Sequence, residues 1–319
     1  MSRAALPGTG RGWESSPTRA GWATHAALVV VQFAFASQTV EAKIAMSPRA
    51  LGGEGIAPEA LAMLRMVGGA LFFQALLAVR ARFVGPEHRP GALEAPSRRD
   101  HLRLAGLSVL GIALNQTLFL LGLRWTSPFA VALLAATIPV FTAGLSIAVR
   151  QETFAWRTAF GLALALSGVL WLAGRGSFDP GAVLVSLNSL SYAAYVVLSR
   201  DTVRRLGAVQ VVAWIFTYGA ILFAPFGLRA AIAEVATLGP RGWALVAYVV
   251  IVPTIVAYSL NAWALARSSP TLVTVYICLQ PLLAAVLARL QLGHTVSERA
   301  GVAAVLVLAG LGVVASRRR

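Results

Sequence analysis

The sequence predicts an all-α integral membrane protein whose ten transmembrane helices form two inverted five-helix repeats. Three observations lead to this prediction: the composition, the spacing of the apolar runs and an internal repeat. Hydrophobic residues make up 58% of the 319-residue chain and charged residues only 12%, whereas soluble domains contain about 25% charged residues. The chain therefore has more apolar surface than a soluble core of its length can bury, and lipid must cover the rest.

Apolar runs of about 20 residues, the length that crosses a hydrocarbon core, recur ten times along the chain. They lie near residues 23–46, 58–79, 103–123, 128–149, 156–174, 181–200, 209–229, 242–264, 270–290 and 300–316. Residues 1–20, rich in Gly, Pro, Ser and Arg, are predicted to form a disordered cytoplasmic leader, and 317–319 a basic cytoplasmic tail. Residues 80–102, rich in Arg, Pro and His, are predicted to form a solvated loop.

The arginines predict the orientation in a bacterial inner membrane. If both termini are cytoplasmic, 18 arginines fall on the cytoplasmic side and seven on the opposite side, as the positive-inside rule requires. The net charge of +15 therefore reflects topology, because the arginines lie in short gaps between apolar runs. Nucleic acid is not expected as a partner.

An internal repeat with an offset of 142 residues divides the chain into segments 21–175 and 176–316. Ser127-Pro128 recurs as Ser269-Pro270, and Pro139 recurs as Pro281, without a gap between them. Five helices per half is an odd number, so the two halves must insert with opposite topology. Inverted repeats of this kind place a binding site near the membrane midplane between the halves.

Segment 118–174 resembles the second part of an EamA domain of the drug/metabolite transporter superfamily. Glu152, Gly161 and Gly168 fit the loop glutamate and the helix glycines of that pattern, and Lys43 and Arg65 resemble basic residues of its first two helices. The resemblance covers about residues 23–316, once per half. In the second copy, His294 replaces the glutamate and Ala303 one glycine. The resemblance implies a secondary transporter that exports a metabolite such as an amino acid.

Polar side chains follow one face of the first helix and one face of the sixth, with the spacing of a helix. They are His25, Gln32, Thr39 and Lys43 in the first helix, and Asn188, Tyr192, Tyr195 and Ser199 in the sixth. Two such faces at corresponding places in the halves predict the lining of a substrate pathway. The alternative is hydrogen bonding between helices without a substrate.

Further polar residues predict parts of the same substrate site. Asn115 and Gln116 lie in the third helix, and Thr254, Tyr258 and Asn261 share a face of the eighth. Like the two polar faces, these groups are able to bind a substrate or each other. The predicted midplane cavity is lined by helices one, three, four, six, eight and nine.

Two basic residues lie within predicted helices, and each has two interpretations. Lys43 either extends to the outer headgroups or provides a positive charge at the mouth of the pathway that favours anionic or zwitterionic substrates. Arg65 lies about 10 Å into its helix. Glu59 on that helix is too far away to pair with it, so the sequence predicts a partner on another helix. A structural ion pair is favoured there over contact with a ligand.

Pro139 and Pro281 are predicted near the middle of the fourth and ninth helices. A proline inside a helix removes one backbone hydrogen bond and frees the carbonyl of residue i−4, here Ala135 and Ile277. The sequence therefore predicts kinks beside a central cavity, which are also candidate hinges. The alternative is packing kinks without a role in gating.

The function classes that remain are a transporter, a non-transporting membrane scaffold and an intramembrane lipid-modifying enzyme. The sequence has no P-loop and no metal-ligand spacing, so neither a cofactor nor catalytic residues are predicted. The expected partners are a small-molecule substrate and the lipid bilayer. Substrate identity, direction, coupling ion and the choice between monomer and homodimer stay open.

Overall fold

Ten helical segments make up the computed structural model, which describes residues 21–83, 96–126, 128–173, 180–292 and 298–315. The first half contains α1 (Trp22–Met46), α2 (Pro58–Phe83), α3 (Arg98–Trp125), α4 (128–148) and α5 (Trp156–Ala173). The second half contains α6 (Pro180–Leu206), α7 (Ala208–Val235), α8 (Pro240–Arg267), α9 (270–292) and α10 (Glu298–Ala315). The predicted all-α class is confirmed. The predicted leader 1–20 and tail 317–319 lie outside the described residues.

The outer surface of the bundle is apolar, as a lipid environment requires. Seven segments of the described chain are long and apolar enough to cross a membrane by length and composition. Large apolar side chains point outward from several helices; for example, Leu71, Leu170 and Phe226 are 68%, 69% and 75% exposed. A surface of this kind is matched by acyl chains rather than by water. The chain is therefore a multi-pass membrane protein.

Polar caps set where some helices begin, and they correct the boundaries expected from hydropathy. α3 begins at Arg98 rather than near 103, because Ser97 and Asp100 form a capping box: the Ser97 amide donates to Asp100 Oδ2 at 2.9 Å, and the Asp100 amide donates to Ser97 Oγ at 3.2 Å. At α9, Ser269 Oγ accepts from the Leu272 amide at 3.2 Å, so Ser269 caps the helix and Pro270 is its first residue. Ser127 lies outside the described residues.

Two kinds of helix irregularity occur at equivalent places in the two halves. α3 contains a π-helical turn at Val109–Ala113, and α8 contains one at Ile251–Val256, so the two turns begin 142 residues apart. α4 consists of Pro128–Ala135 and Ile138–Ala148, and α9 passes through a 3₁₀ turn, Tyr276–Leu279, before Gln280–Leu292. The repeat read from the sequence therefore extends to local backbone geometry.

The sequence analysis expected Pro139 and Pro281 to kink continuous helices, but the structure places them differently. Each is the second residue of the helical piece that follows a break. At that position an N–H has no partner inside the helix, so proline costs no hydrogen bond and its fixed φ favours the first turn. The two prolines therefore mark the start of new helical pieces and do not form kinks with a freed i−4 carbonyl.

Contacts between repeat-equivalent residues locate the two-fold axis that relates the halves. Gln116 Nε2 donates to the hydroxyl of Tyr258 at 3.1 Å, and Cys278 Sγ lies 4.0 Å from the carbonyl oxygen of Ala136. Each pair is separated by 142 residues. A residue can contact its own equivalent only where the axis passes between them. The axis therefore runs through the α3–α8 contact and through the breaks in α4 and α9.

The α5–α10 pair shows that the repeat is inverted. A Cβ added to Gly161 would lie 2.9 Å from the Gly310 carbonyl oxygen, and one added to Gly168 would lie 2.9 Å from the Ala303 carbonyl oxygen. The early part of α5 therefore meets the late part of α10, and the late part of α5 meets the early part of α10. Equivalent helices run antiparallel, which is the arrangement predicted from five helices per half.

The first helix of each half packs against the other half. α1 packs on α8 and α9, and α6 packs on α3 and α4. The polar faces of α1 and α6 are thereby brought to the interface between the halves, beside the two-fold axis. Because α1 and α6 each pack against the opposite half, the candidate site lies between the halves.

Candidate functional site

A central cavity of about 70 Å³ lies between the halves, among α1, α3, α4, α6, α8 and α9. These are the six helices expected from the sequence. Six of the predicted site residues line the cavity: Thr39, Asn115, Gln116, Asn188, Tyr192 and Tyr258. The remaining lining residues are Phe35, Gln38, Phe119, Val131, Ala135, Ile138, Ile277 and Gln280. The wall therefore combines amides and hydroxyls with aromatic and aliphatic side chains.

Two asparagines join α3 to α6 at the wall. Asn188 Nδ2 donates to the Asn115 carbonyl oxygen at 2.7 Å, and Asn115 Nδ2 donates to the Asn188 carbonyl oxygen at 3.5 Å. Both side chains are about 6% exposed. Side-chain to main-chain bonds of this kind satisfy polar groups that lipid cannot, and they fix the position of both amides beside the cavity.

Of the two predicted tyrosines in α6, the structure places only one in the wall. The hydroxyl of Tyr192 accepts from Asn261 Nδ2 at 2.9 Å, so Asn261 lies behind the wall and orients Tyr192. Tyr195 is outside the cavity lining and packs its ring against Gly111, in the π-helical turn of α3. A side chain at Gly111 would overlap this ring, so the glycine permits the contact.

The polar face of α1 divides into residues with different contacts. Thr39 lines the cavity, and Gln32 Oε1 accepts from Nε2 of the lining residue Gln280 at 2.8 Å. His25 Nδ1 is hydrogen-bonded to the hydroxyl of Tyr276. Gln32 and His25 thus hold α1 against α9 rather than lining the space themselves.

Lys43 lies away from the cavity lining, at the C-terminus of α3. Its Nζ donates to the carbonyl oxygens of Leu123 at 2.8 Å, Arg124 at 3.3 Å and Thr126 at 3.0 Å. The last carbonyls of a helix have no intrahelical donors, and a cation there also interacts favourably with the helix dipole. Lys43 therefore caps α3 from a neighbouring helix.

Arg65 is buried at 1% exposure, and its partners lie on other helices, as predicted. Nε donates to Thr254 Oγ1 at 3.0 Å, and Nη1 donates to Gln116 Oε1. The expected structural ion pair is wrong: within the described part of the chain, no carboxylate lies within 4 Å of the guanidinium. The partners are neutral because the groups next to the guanidinium are Thr254, in the π-helical turn of α8, and Gln116, on the two-fold axis in α3.

The sequence analysis missed two polar lining residues and most of the apolar ones. Phe35, Gln38 and Thr39 are spaced i, i+3, i+4, so Phe35 and Gln38 lie beside Thr39 on the face whose polar residues were noted, but neither was noted itself. Gln280 directly precedes Pro281, and the break at that proline could have identified it. The apolar contribution of α4 had no signal, because its side chains resemble those that face lipid.

Glu152 connects the halves outside the cavity. Its Oε1 accepts from the Thr271 amide at 3.1 Å, in the first turn of α9. A carboxylate at a helix N-terminus satisfies a free amide and stabilises the positive end of the dipole. The loop glutamate of the first half thus caps a helix of the second.

The fold and the cavity together define a class: a multi-pass membrane protein of two antiparallel halves with a partly polar cavity between them, the plan of many secondary transporters. The chain belongs to the EamA-like transporter family, whose model matches residues 22–174 and again 179–316. The family supports a transporter role, and it matches the resemblance seen in the sequence.

Individual relatives are distant but span most of the chain. An uncharacterized transporter of Archaeoglobus fulgidus is 26% identical over 71% of this chain and 80% of its own length. The probable terminal-alkyne amino-acid exporter of Streptantibioticus cattleyicolor is 25% identical over 72% and 77%. Protein WALLS ARE THIN 1 of Arabidopsis thaliana is 23% identical over 90% and 81%. One solved crystal structure, 19% identical, superposes with a TM-score of 0.67 over 92% of this chain and 96% of that chain, which shows the fold alone.

Proposed function

We propose that the protein is a secondary transporter that exports a small metabolite, an amino acid or a related zwitterion or anion, by alternating access about the central cavity. The observation that carries the proposal is the position of that cavity, on the interface between two halves related by a two-fold axis. A site at this interface is exposed to one side or the other when the halves rock against each other.

The lining supports a small polar organic substrate. Asn115, Gln116, Asn188 and Gln280 carry amide groups that both donate and accept hydrogen bonds. Aromatic and aliphatic residues of α1, α3 and α4 complete the wall, so a molecule with a polar head and a short carbon side chain suits it. The name of the Streptantibioticus relative, a probable amino-acid exporter, supports the same substrate class and direction.

The breaks in α4 and α9 support a cavity whose lining moves during transport. Ala135 and Ile138 flank the break in α4. Ile277 lies in the 3₁₀ turn of α9 and Gln280 directly follows it, and all four line the cavity. Discontinuous helices are typical of transporter sites, because each piece can tilt without disrupting a continuous ladder of hydrogen bonds. We propose that Pro139 and Pro281 mark the hinges of these pieces.

The proposed location is a bacterial inner membrane with both termini in the cytoplasm. The support is the distribution of arginine, 18 on the proposed cytoplasmic side and seven on the other. Under this orientation, substrate enters from the cytoplasm and leaves on the outer side.

The test is counterflow of a labelled amino-acid panel in proteoliposomes, with Ala135→Phe and Ala148→Phe as a matched pair. Ala135 lines the cavity, whereas Ala148 lies at the exposed end of the same helix. The ring at position 135 fills a cavity of about 70 Å³, so we expect counterflow to fall at least about tenfold, the equivalent of 1.4 kcal/mol. The Ala148 variant should transport like the wild type.

Two outcomes contradict the proposal. Equal counterflow by both variants would place the pathway elsewhere. Folded wild-type protein that carries no member of an amino-acid, nucleoside and organic-acid panel would favour the non-transporting scaffold.

A further inference from the structure

Arg65 carries a positive charge into the centre of the bundle. Its side chain is 1% exposed, and it lies seven residues beyond the first residue of α2. Charged side chains at this depth are costly, and those that persist are paired, bound to backbone carbonyls or in contact with a ligand pathway. The charge of Arg65 therefore needs a partner.

The described residues satisfy only part of the guanidinium. Nε and Nη1 bind the neutral groups of Thr254 and Gln116, while Nη2 is buried and has no hydrogen-bond partner. No carboxylate of the described chain lies within 4 Å. Buried charges are normally compensated, so the Nη2 group and one unit of charge are left for a group that the described chain does not supply.

Gln116 connects this guanidinium to the central cavity. Gln116 accepts from Nη1 and also lines the cavity. Its Nε2 donates to the hydroxyl of Tyr258, which lines the cavity as well. A rotation of the Gln116 side chain away from Arg65 would open the guanidinium to the cavity without moving a helix.

The position of Gln116 on the two-fold axis adds a second argument. Arg65 binds Gln116 and so lies beside the axis; a charge beside the axis stays near the site whichever side is open, because the rocking motion exchanges the halves about that axis. A charge at the mouth of the pathway, by contrast, would act on only one of the two open states. Arg65 is therefore placed to act on the bound substrate throughout the cycle.

We propose that Arg65 is the anion-recognition residue of the cavity, and that the negatively charged group it binds is a carboxylate of the transported molecule. The carboxylate takes the guanidinium edge at Nη2 and replaces Gln116 at Nη1, a bidentate geometry that arginine favours. The proposal rests on the transport function proposed above and narrows its substrates to carboxylates.

The experiment compares an amino acid with its carboxamide, which has the same shape without the negative charge. In counterflow, we expect the wild type to carry the carboxylate at least about tenfold faster, as befits a charge-assisted pair. Arg65→Gln should lose that advantage and carry the carboxamide within about twofold of the wild type. Arg65→Lys, which keeps the charge, should recover part of the preference. Arg82→Gln, exposed near the other end of α2, is the control and should change neither rate.

A binding measurement tests the inference separately from transport. The carboxylate, but not the carboxamide, should raise the Tm of the wild type in detergent, and this difference should vanish in Arg65→Gln. The result also holds if no flux is detected, so failure of the transport proposal is distinguishable from failure of this one.

Three results would overturn the inference. A preference that survives in Arg65→Gln would make the residue structural. A wild type that does not distinguish carboxylate from carboxamide would remove the need for anion recognition. A Tm shift that chloride alone reproduces in full, without any carboxylate, would show that a free inorganic anion fills the guanidinium edge.

Discussion

Lys43 illustrates how one side chain can replace the missing donors of a neighbouring helix. Three carbonyl oxygens at the end of α3 share its ammonium. The sequence suggested a charge at the mouth of a pathway or one that extends to the headgroups. The contacts favour a structural role instead, because the ammonium is occupied by backbone.

Lys43→Met separates these interpretations. Loss of the cap leaves carbonyls unsatisfied, so we expect the variant to be destabilised by about 1–3 kcal/mol, measured by unfolding in detergent. Arg80→Met, which removes an exposed cation at the end of α2, should be close to wild type. Unchanged stability combined with slower transport of anions would return Lys43 to the pathway.

At this scale, the sequence predicted which residues are polar and buried but not what they bind. Six of the predicted residues line the cavity, because polar side chains within apolar runs are costly and cluster where water or a partner is present. The partners of Arg65 and Lys43 depend on how far α3 and α8 slide along α1 and α2. That distance is set by how the helices pack, so it cannot be predicted from helix periodicity.

Among the helices, the α5–α10 crossing depends on the absence of side chains. A Cβ on Gly310 would lie 2.6 Å from the Gly161 carbonyl oxygen and from the Ala165 amide nitrogen. Backbone on both sides leaves no flexible atom to move aside. Small residues at such crossings let helices approach closely in membranes.

Gly310→Ala and Gly312→Ala test this crossing within one helix. We expect Gly310→Ala to cost about 1–3 kcal/mol through overpacking. Gly312→Ala, exposed and with nothing within 4 Å, should change stability by less than about 0.5 kcal/mol. Thermal unfolding in detergent provides the measurement, and similar losses in both variants would show that the close approach of α5 and α10 is not required.

The helix irregularities show the limit of sequence reasoning at the same scale. The prolines predicted a disturbance in α4 and α9, and the structure has one in each, although as breaks rather than kinks. The π-helical turn of α3 had no signal, because a π turn adds one residue without requiring a particular side chain, whereas the turn of α8 contains Pro253, which could have indicated it. Their repetition at an offset of 142 residues became visible only in the backbone.

For the whole molecule, orientation is the prediction with the simplest test. Leu51 is 80% exposed between α1 and α2, and Arg82 is exposed at the opposite end of α2. In a Cys278→Ser background, an impermeant maleimide should label Leu51→Cys in intact cells and should label Arg82→Cys only after permeabilisation. The reverse pattern would invert the proposed topology.

The global architecture was accessible from the sequence because it follows from counting. Ten apolar runs and a repeat with an odd number of helices require two antiparallel halves, and the α5–α10 contacts agree. The packing of α1 and α6 against the opposite half could not be predicted from the sequence. It depends on which apolar faces fit each other, and those faces look alike in sequence.

The contacts on the two-fold axis have a consequence for how such a chain could have arisen. In a dimer of two identical half-length chains, the residue at position 116 would face its own copy, and any substitution would occur twice. Joining the halves in one chain removes this constraint, so a glutamine now faces a tyrosine and an alanine faces a cysteine. The axis is where duplication and fusion of a gene allow the most new chemistry, and here it meets the wall of the cavity next to Arg65.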